Sequence, residues 1–225
     1  MITDETSGVW ETWDVFAKVN AQKWRPNGAI LFAWGRGSNG RLGQNNRTYF
    51  SSPVQIPGTT WSSISGGSTH SLATKTDGTL WSWGYGANGK LGKNDTIRYS
   101  SPVQIPGTTW SAISGGVAHS LATKTDNTLW AWGKGSYGNL GQNDTIRYSS
   151  PVQIPGTTWS SISSGGYHSL AKKTDGTLWA WGYGSYGRLG QNTTTQFSSP
   201  VQIPGTSWSS ISGGSTHSLA TQLVS

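Results

Sequence analysis

The chain has 225 residues, enough for one or two domains with a buried core, and holds 32 Gly and 14 Trp against one Met, no Cys and 11% charged residues. That composition excludes a disulfide framework and a thiolate metal site, argues against helix-rich packing, and offers no run of about 18 apolar residues to cross a bilayer. The formal charge of +7 is uneven: residues 1–30 carry a net −1, while the remainder has 13 basic and 5 acidic residues, net +8, which makes an anionic partner worth testing.

Residues 1–28 stand apart from the rest of the chain. MITDETSGVW lacks the basic-then-apolar order of a signal peptide, so the reading is a soluble chain not exported by that route. Trp10, Trp13 and Phe16 are spaced by three, the stripe of an amphipathic helix, with Ser7 as its cap and Arg25-Pro26-Asn27-Gly28 as its end. A short helix is therefore expected here. Its aromatic stripe either packs on the neighbouring domain or docks the molecule onto a larger assembly, which makes Trp10, Trp13 and Phe16 the candidate docking residues.

Residues 29–225 read as one repeat domain. His70, His119, His168 and His217 are 49 residues apart at each step, as are Trp34, Trp83, Trp132 and Trp181, and residues 62–110 match 111–159 at 39 of 49 positions. The chain enters this period halfway, at Leu31-Phe32-Ala33-Trp34. A full period then runs through WSSIS (61–65), HSLATK (70–75), a turn whose Asp77-Gly78 suits positive φ, TLWSWG (79–84), and PVQI (102–105) between two prolines. Four short strands per period predict a propeller blade. The last period stops after WSSISGGSTHSLATQ (208–222). The expected fold is all-β, a propeller of four 49-residue blades whose terminal half-blades complete each other. That closure gives a four-bladed ring in one chain or, between two chains, an eight-bladed ring and hence a homo-oligomer.

GGSTHSLA (66–73), TLWSWG (79–84), NGKLG (88–92) and SPVQI (101–105), with their sister copies, resemble the regulator of chromosome condensation repeat family. The resemblance covers about residues 31–223. It implies a propeller with a binding role rather than an enzyme, in a family whose rings have seven blades. It also implies an alternative function, guanine-nucleotide exchange or chromatin binding, although the chain shows neither a basic N-terminal tail nor an inserted hairpin of the kind that family uses on its GTPase. SGVWETWDVFAKVNAQKWRP, from Ser7, is similar to the segment that precedes repeat domains in structural proteins of tailed bacteriophages. This second resemblance implies a virion protein, tail- or fibre-associated, with other virion proteins as partners.

Catalysis and cofactor binding are not expected. The histidines occupy one equivalent strand position each, and no repeat joins a nucleophile, a base and an orienting carboxylate. His70, His119, His168 and His217 are read as structural, bonding backbone near the ring axis, with a metal-binding ring of imidazoles as the alternative. Gly84, Gly86 and Gly89 spell Gly-x-Gly-x-x-Gly, but Leu91-Gly92-Lys93-Asn94 starts no helix on which a dinucleotide phosphate would sit.

The copies differ mainly in one loop. It carries Arg36, Asn39 and Arg41, then Tyr85, Asn88 and Lys90, then Lys134, Tyr137 and Asn139, and finally Tyr183, Tyr186 and Arg188. A second variable pair precedes each histidine and includes Tyr167. Tyr, Arg, Lys and Asn supply rigid contact area and adaptable hydrogen bonds, so these residues are the candidate ligand-binding set. The expected ligand is a surface glycan held multivalently, without membrane insertion. Non-specific DNA binding is the further alternative. Nucleic acid is not the expected partner, because the positive charges are spread over loops rather than along one stripe.

Overall fold

The structure is a computed structural model that describes residues 28–223. The expected helix, with Trp10, Trp13 and Phe16, lies outside the described residues. Residues 28–223 form antiparallel β-structure joined by tight turns.

β1 (Ala29–Gly35) pairs with the first part of a long strand, β2 (Phe50–Gly66), to form an N-terminal half-blade. The second part of β2 then opens a complete blade with β3 (His70–Lys75), β4 (Leu80–Gly84) and β5 (Tyr99–Ile105). A second blade follows as β6 (Trp110–Gly115), β7 (His119–Lys124), β8 (Leu129–Gly133) and β9 (Tyr148–Ile154). The third is β10 (Trp159–Ser164), β11 (His168–Lys173), β12 (Leu178–Gly182) and β13 (Phe197–Ile203). β14 (Trp208–Gly213) and β15 (Ser218–Gln222) pair only with each other, forming a C-terminal half-blade. The described residues thus form three complete blades and two halves, and closure of the halves within one chain, one of the two arrangements expected, is not seen, because β15 and β1 are not partners.

The strand pattern follows from the residues. Leu-Trp-Ala/Ser-Trp-Gly puts its large side chains on opposite faces of β4, β8 and β12, and Pro102 is accepted within β5 because that strand is the outermost of its blade. Gly78 turns the β3–β4 hairpin at φ +76°, and Asn127 takes the same place at φ +61° in the next blade.

The core lies between successive blades rather than within one sheet. Leu72, Leu80 and Ile105 of the first complete blade pack with Trp110, Ala122 and Trp132 of the second. One step on, Leu121, Leu129 and Ile154 pack with Trp159, Ala171 and Trp181. Antiparallel pairing places the loops before each His strand and after each Trp-Gly strand on one face of the arc; the Asp-turn hairpins lie on the other.

Candidate binding face

The junction between blades is a hydrogen-bonded relay that starts at each histidine. His70 Nε2 lies 2.9 Å from Ser120 Oγ, His119 Nε2 3.1 Å from Ser169 Oγ, and His168 Nε2 2.9 Å from Ser218 Oγ, each serine belonging to the next blade. Ser120 and Ser169 hydroxyls in turn donate to the carbonyls of Lys90 and Asn139, at 2.9 and 2.8 Å, and Ser218 donates to that of Arg188 at 2.7 Å. A serine whose proton is committed must accept from the ring, so the imidazoles are neutral with the proton on Nε2. Nδ1 has no partner among the described residues. Burial is the main force pushing His70 and His119 down to about 3, assisted by Lys90 and His168 respectively; burial and then Arg188 hold His168 at about 4.

The rings of His70, His119 and His168 thus bond a serine hydroxyl of the next blade rather than the backbone that was expected, and His217 is exposed. No group of three or more His, Asp or Glu placed to hold an ion lies among the described residues. The glycine three residues before each His is dictated by close approach: a Cβ on Gly116 would lie 2.6 Å from the His119 ring and 2.8 Å from the Gly165 carbonyl.

The variable loops divide into two classes. Arg36, Tyr85, Lys134 and Tyr183 follow directly on their strands, and the backbone N–H of Tyr85, Lys134 and Tyr183 donates to the carbonyl of Thr69, Ala118 and Tyr167 at 2.9 Å each. Both variable segments of a blade are thus clipped together on one face. Arg36 and Tyr85 are exposed, and Asn39, Asn88 and Tyr137 are half-buried in the loop turns.

The last variable position departs from expectation, because Lys90, Asn139 and Arg188 are buried and Arg41 is half-buried. These side chains cap carbonyls at the junction instead of facing solvent. Arg41 Nη1 reaches Ser68 O, Lys90 Nζ reaches Thr69 Oγ1 at 2.9 Å and Val117 O at 3.3 Å, and Arg188 Nη1 reaches Ser215 O at 3.1 Å. Burial, with Arg41 nearby, lowers the Lys90 ammonium to about 8. Asn139 is too short for that span and caps Lys134 O in its own loop at 2.8 Å.

Where Asn139 falls short, aromatic rings assemble. Tyr137 lies 5.1 Å from Tyr167 and 4.5 Å from Tyr183, ring centre to ring centre, so three tyrosines from two blades form one half-buried patch. Lys134 Nζ sits 5.5 and 5.7 Å from the centres of Tyr137 and Tyr167, and the Arg188 guanidinium 4.9 Å from Tyr183 and 5.6 Å from Tyr186. Tyr186 is 82% exposed and holds φ +62°, the conformation taken by Asn39 and Asn88 in the sister loops. The Gly-x-Gly-x-x-Gly stretch forms these compact turns, with a single 3-10 turn at Ala87–Gly89, and opens no α-helix.

Two features were not anticipated from the sequence. The relay serines were signalled by the invariant His-Ser pair. The opposite face carries Lys75, Lys124 and Lys173 over paired tryptophans, each lysine 4.1–4.4 Å from the nearer ring, signalled by Lys recurring just before each Asp turn.

Comparison with known proteins agrees with this architecture. A search of curated proteins by sequence finds no match. Among solved structures, human WBSCR16 superposes with a TM-score of 0.78 at 22% identity, over 88% of this chain and 55% of that one. Prp20p from Saccharomyces cerevisiae, described with its binding to Gsp1p and histones, gives 0.76 at 21% identity over 87% and 52%. Yeast RCC1 (Prp20) bound to Kap60 gives 0.75 at 21% identity over 87% and 51%. The chain thus spans about half the length of these structures, and at such identities they establish the propeller fold alone. The model for the regulator of chromosome condensation (RCC1) repeat matches residues 30–74, 77–123, 126–171 and 175–221, and the chain belongs to that family.

Proposed function

We propose that the chain is a non-enzymatic binding propeller whose variable loop face attaches to an anionic glycan on a surface. The observation that carries this is the Tyr137, Tyr167 and Tyr183 patch with Lys134 at its edge. Aromatic faces stack on the C–H faces of pyranose rings, phenol hydroxyls bond sugar hydroxyls, and the ammonium selects a carboxylate or sulfate. The smaller Tyr85 site, with the Arg98 guanidinium 5.5 Å from its ring, repeats the chemistry one junction earlier, so weak sites on one face would add through avidity. A particle-borne setting, a tail or fibre of a virion, rests on the resemblance of the segment from Ser7 alone.

Binding to a panel of bacterial surface polysaccharides and duplex DNA at about physiological ionic strength tests the reading. Saturable binding to one acidic glycan class, lost at least tenfold in Tyr137→Ala and Tyr167→Ala, is the expected result. No glycan binding overturns it. Salt-sensitive binding to DNA alone would favour a charge-driven partner, although Lys90 and Arg188 are spent on junction carbonyls and Lys75, Lys124 and Lys173 on tryptophans. The family also includes yeast Prp20p, described with its binding to Gsp1p and histones. A protein partner of that kind is the second reading, and accelerated nucleotide release from a small GTPase would bring it forward.

A further inference from the structure

The two ends of the arc match each other. Inside the chain every Trp-Gly strand is paired on both sides, whereas among the described residues β1 pairs only with β2 and β15 only with β14. Exposure follows the same division. Trp34 on β1 is 60% exposed while its equivalents Trp83, Trp132 and Trp181 are at 2%, 0% and 0%, and Leu219 on β15 is 62% exposed while Leu72, Leu121 and Leu170 are at 1%, 0% and 1%.

Each internal junction also shows what Trp34 is built to meet. The indole N–H of Trp83, Trp132 and Trp181 donates to the carbonyl of Arg41, Lys90 and Asn139 in the preceding blade, at 2.9, 2.9 and 3.0 Å. Each of those carbonyls accepts a second bond from the relay serine. The next carbonyl in the series, Arg188, has only its serine, Ser218. Beside it opens a cleft of ≈ 350 Å³ whose lining includes Leu170, Leu178, Gly190, Ile203 and Trp208. Their equivalents one blade earlier, Leu121, Leu129, Ile154 and Trp159, are the side chains that enclose Trp181. Gly141 lies against the Trp181 indole and Ile154; Gly190 lies against Ile203 alone.

We propose that β15 of one copy of this chain takes β1 of a second copy as its neighbouring strand, with Trp34 of that copy seated in the cleft beside Arg188. Carried one step further, the internal register sets Leu219 opposite Ala33 and Ala220 opposite Phe32, as Leu72 faces Ser82 and Ala73 faces Trp81 in the first complete blade. The same step brings His217 to the partner copy's Ser71 as His168 comes to Ser218, and the Asn192 N–H to its Ser51 carbonyl as Asn143 comes to Ser198. A second copy is the occupant that fits, because every element it must offer is present on this chain in the required order. Two arcs joined at both ends make a closed ring in which each terminal half-blade is completed and β1 and β15 no longer present free edges.

Light scattering after gel filtration of the full chain, whose mass is 24.0 kDa, is the first test. Twice the chain mass is expected, with a return to one chain mass in Trp34→Ser and in Leu219→Lys. Both residues are exposed in the single chain, so circular dichroism of the variants should keep the parent spectrum. One chain mass for the parent protein overturns the proposal, as does a doubled mass that Trp34→Ser leaves unchanged. Because the chain has no cysteine, Ala33→Cys with Leu219→Cys gives a direct check of register under mild oxidation by diamide. A disulfide-linked dimer on a non-reducing gel is expected; a link formed only within one chain would mean closure in cis and refute pairing between copies.

Discussion

At the scale of single residues, the buried histidines tie stability to acidity. Their folded pKa values, about 3 for His70 and His119 and about 4 for His168, lie below the ordinary 6.5, so between those limits the unfolded chain binds protons that the folded chain refuses. The contribution is whole above pH 6.5 and is lost as pH falls towards 4, at roughly 1.4 kcal/mol per pH unit for each histidine. A melting temperature that falls steeply from pH 6.5 to pH 4.5 is expected; a flat profile would contradict neutral buried rings. Ser120→Ala removes the acceptor of His70 and leaves a buried N–H unpaired, which costs about 1–3 kcal/mol in denaturant unfolding. Tyr186 presents the opposite case. Tyr186→Asn should gain roughly 1 kcal/mol, because Asn already occupies this left-handed conformation in two sister loops.

At the scale of the element, each blade is the same four strands with tolerated exchanges. Ser82 Oγ donates to Leu91 O in the first complete blade, whereas Ala131 and Ala180 stand in its place later, so Ser82→Ala should shift stability by less than about 1 kcal/mol. The strands were legible because alternation, Asp-Gly turns and Trp spacing all agree: HSLATK and TLWSWG appear at or within one residue of their expected limits, whereas WSSIS (61–65) is the second part of the long β2 and the strand expected at PVQI (102–105) begins earlier, at Tyr99. The variable loops were legible as loops but not as two classes of position. Nothing in the letters Arg41, Lys90, Asn139 and Arg188 tells that a long cation folds back to cap a carbonyl 27 residues on, since that distance exists only once blades are stacked. Nor does the sequence place Tyr137 beside Tyr183, 46 positions away, because their meeting depends on the turn between two sheets.

At the scale of the whole molecule, cohesion comes from the contacts each blade makes with its immediate neighbours, as in other repeat proteins. Trp132 is enclosed by two blades and its N–H is committed to Lys90 O, so Trp132→Ala opens a junction and should cost about 3–5 kcal/mol, whereas Trp34→Ala, at an end, should cost the single chain far less. Unfolding the two variants by urea separates the cases. The family and the propeller were readable from the repeat; how the ends are satisfied was not, because a half-blade at each terminus is compatible with closure in one chain or across two.

The junction bonds have a consequence for how such a chain can change in length. His to Ser spans 50 residues, Trp to carbonyl 42 and loop N–H to outer strand 55, always from one blade to the next and, for these contacts, never beyond it. Removing or duplicating 49 consecutive residues anywhere in the repeat body therefore rejoins donors to equivalent acceptors at every remaining junction. A gene built in this way can gain or lose a blade by unequal exchange between its own repeats and still encode a chain whose surviving junctions fit.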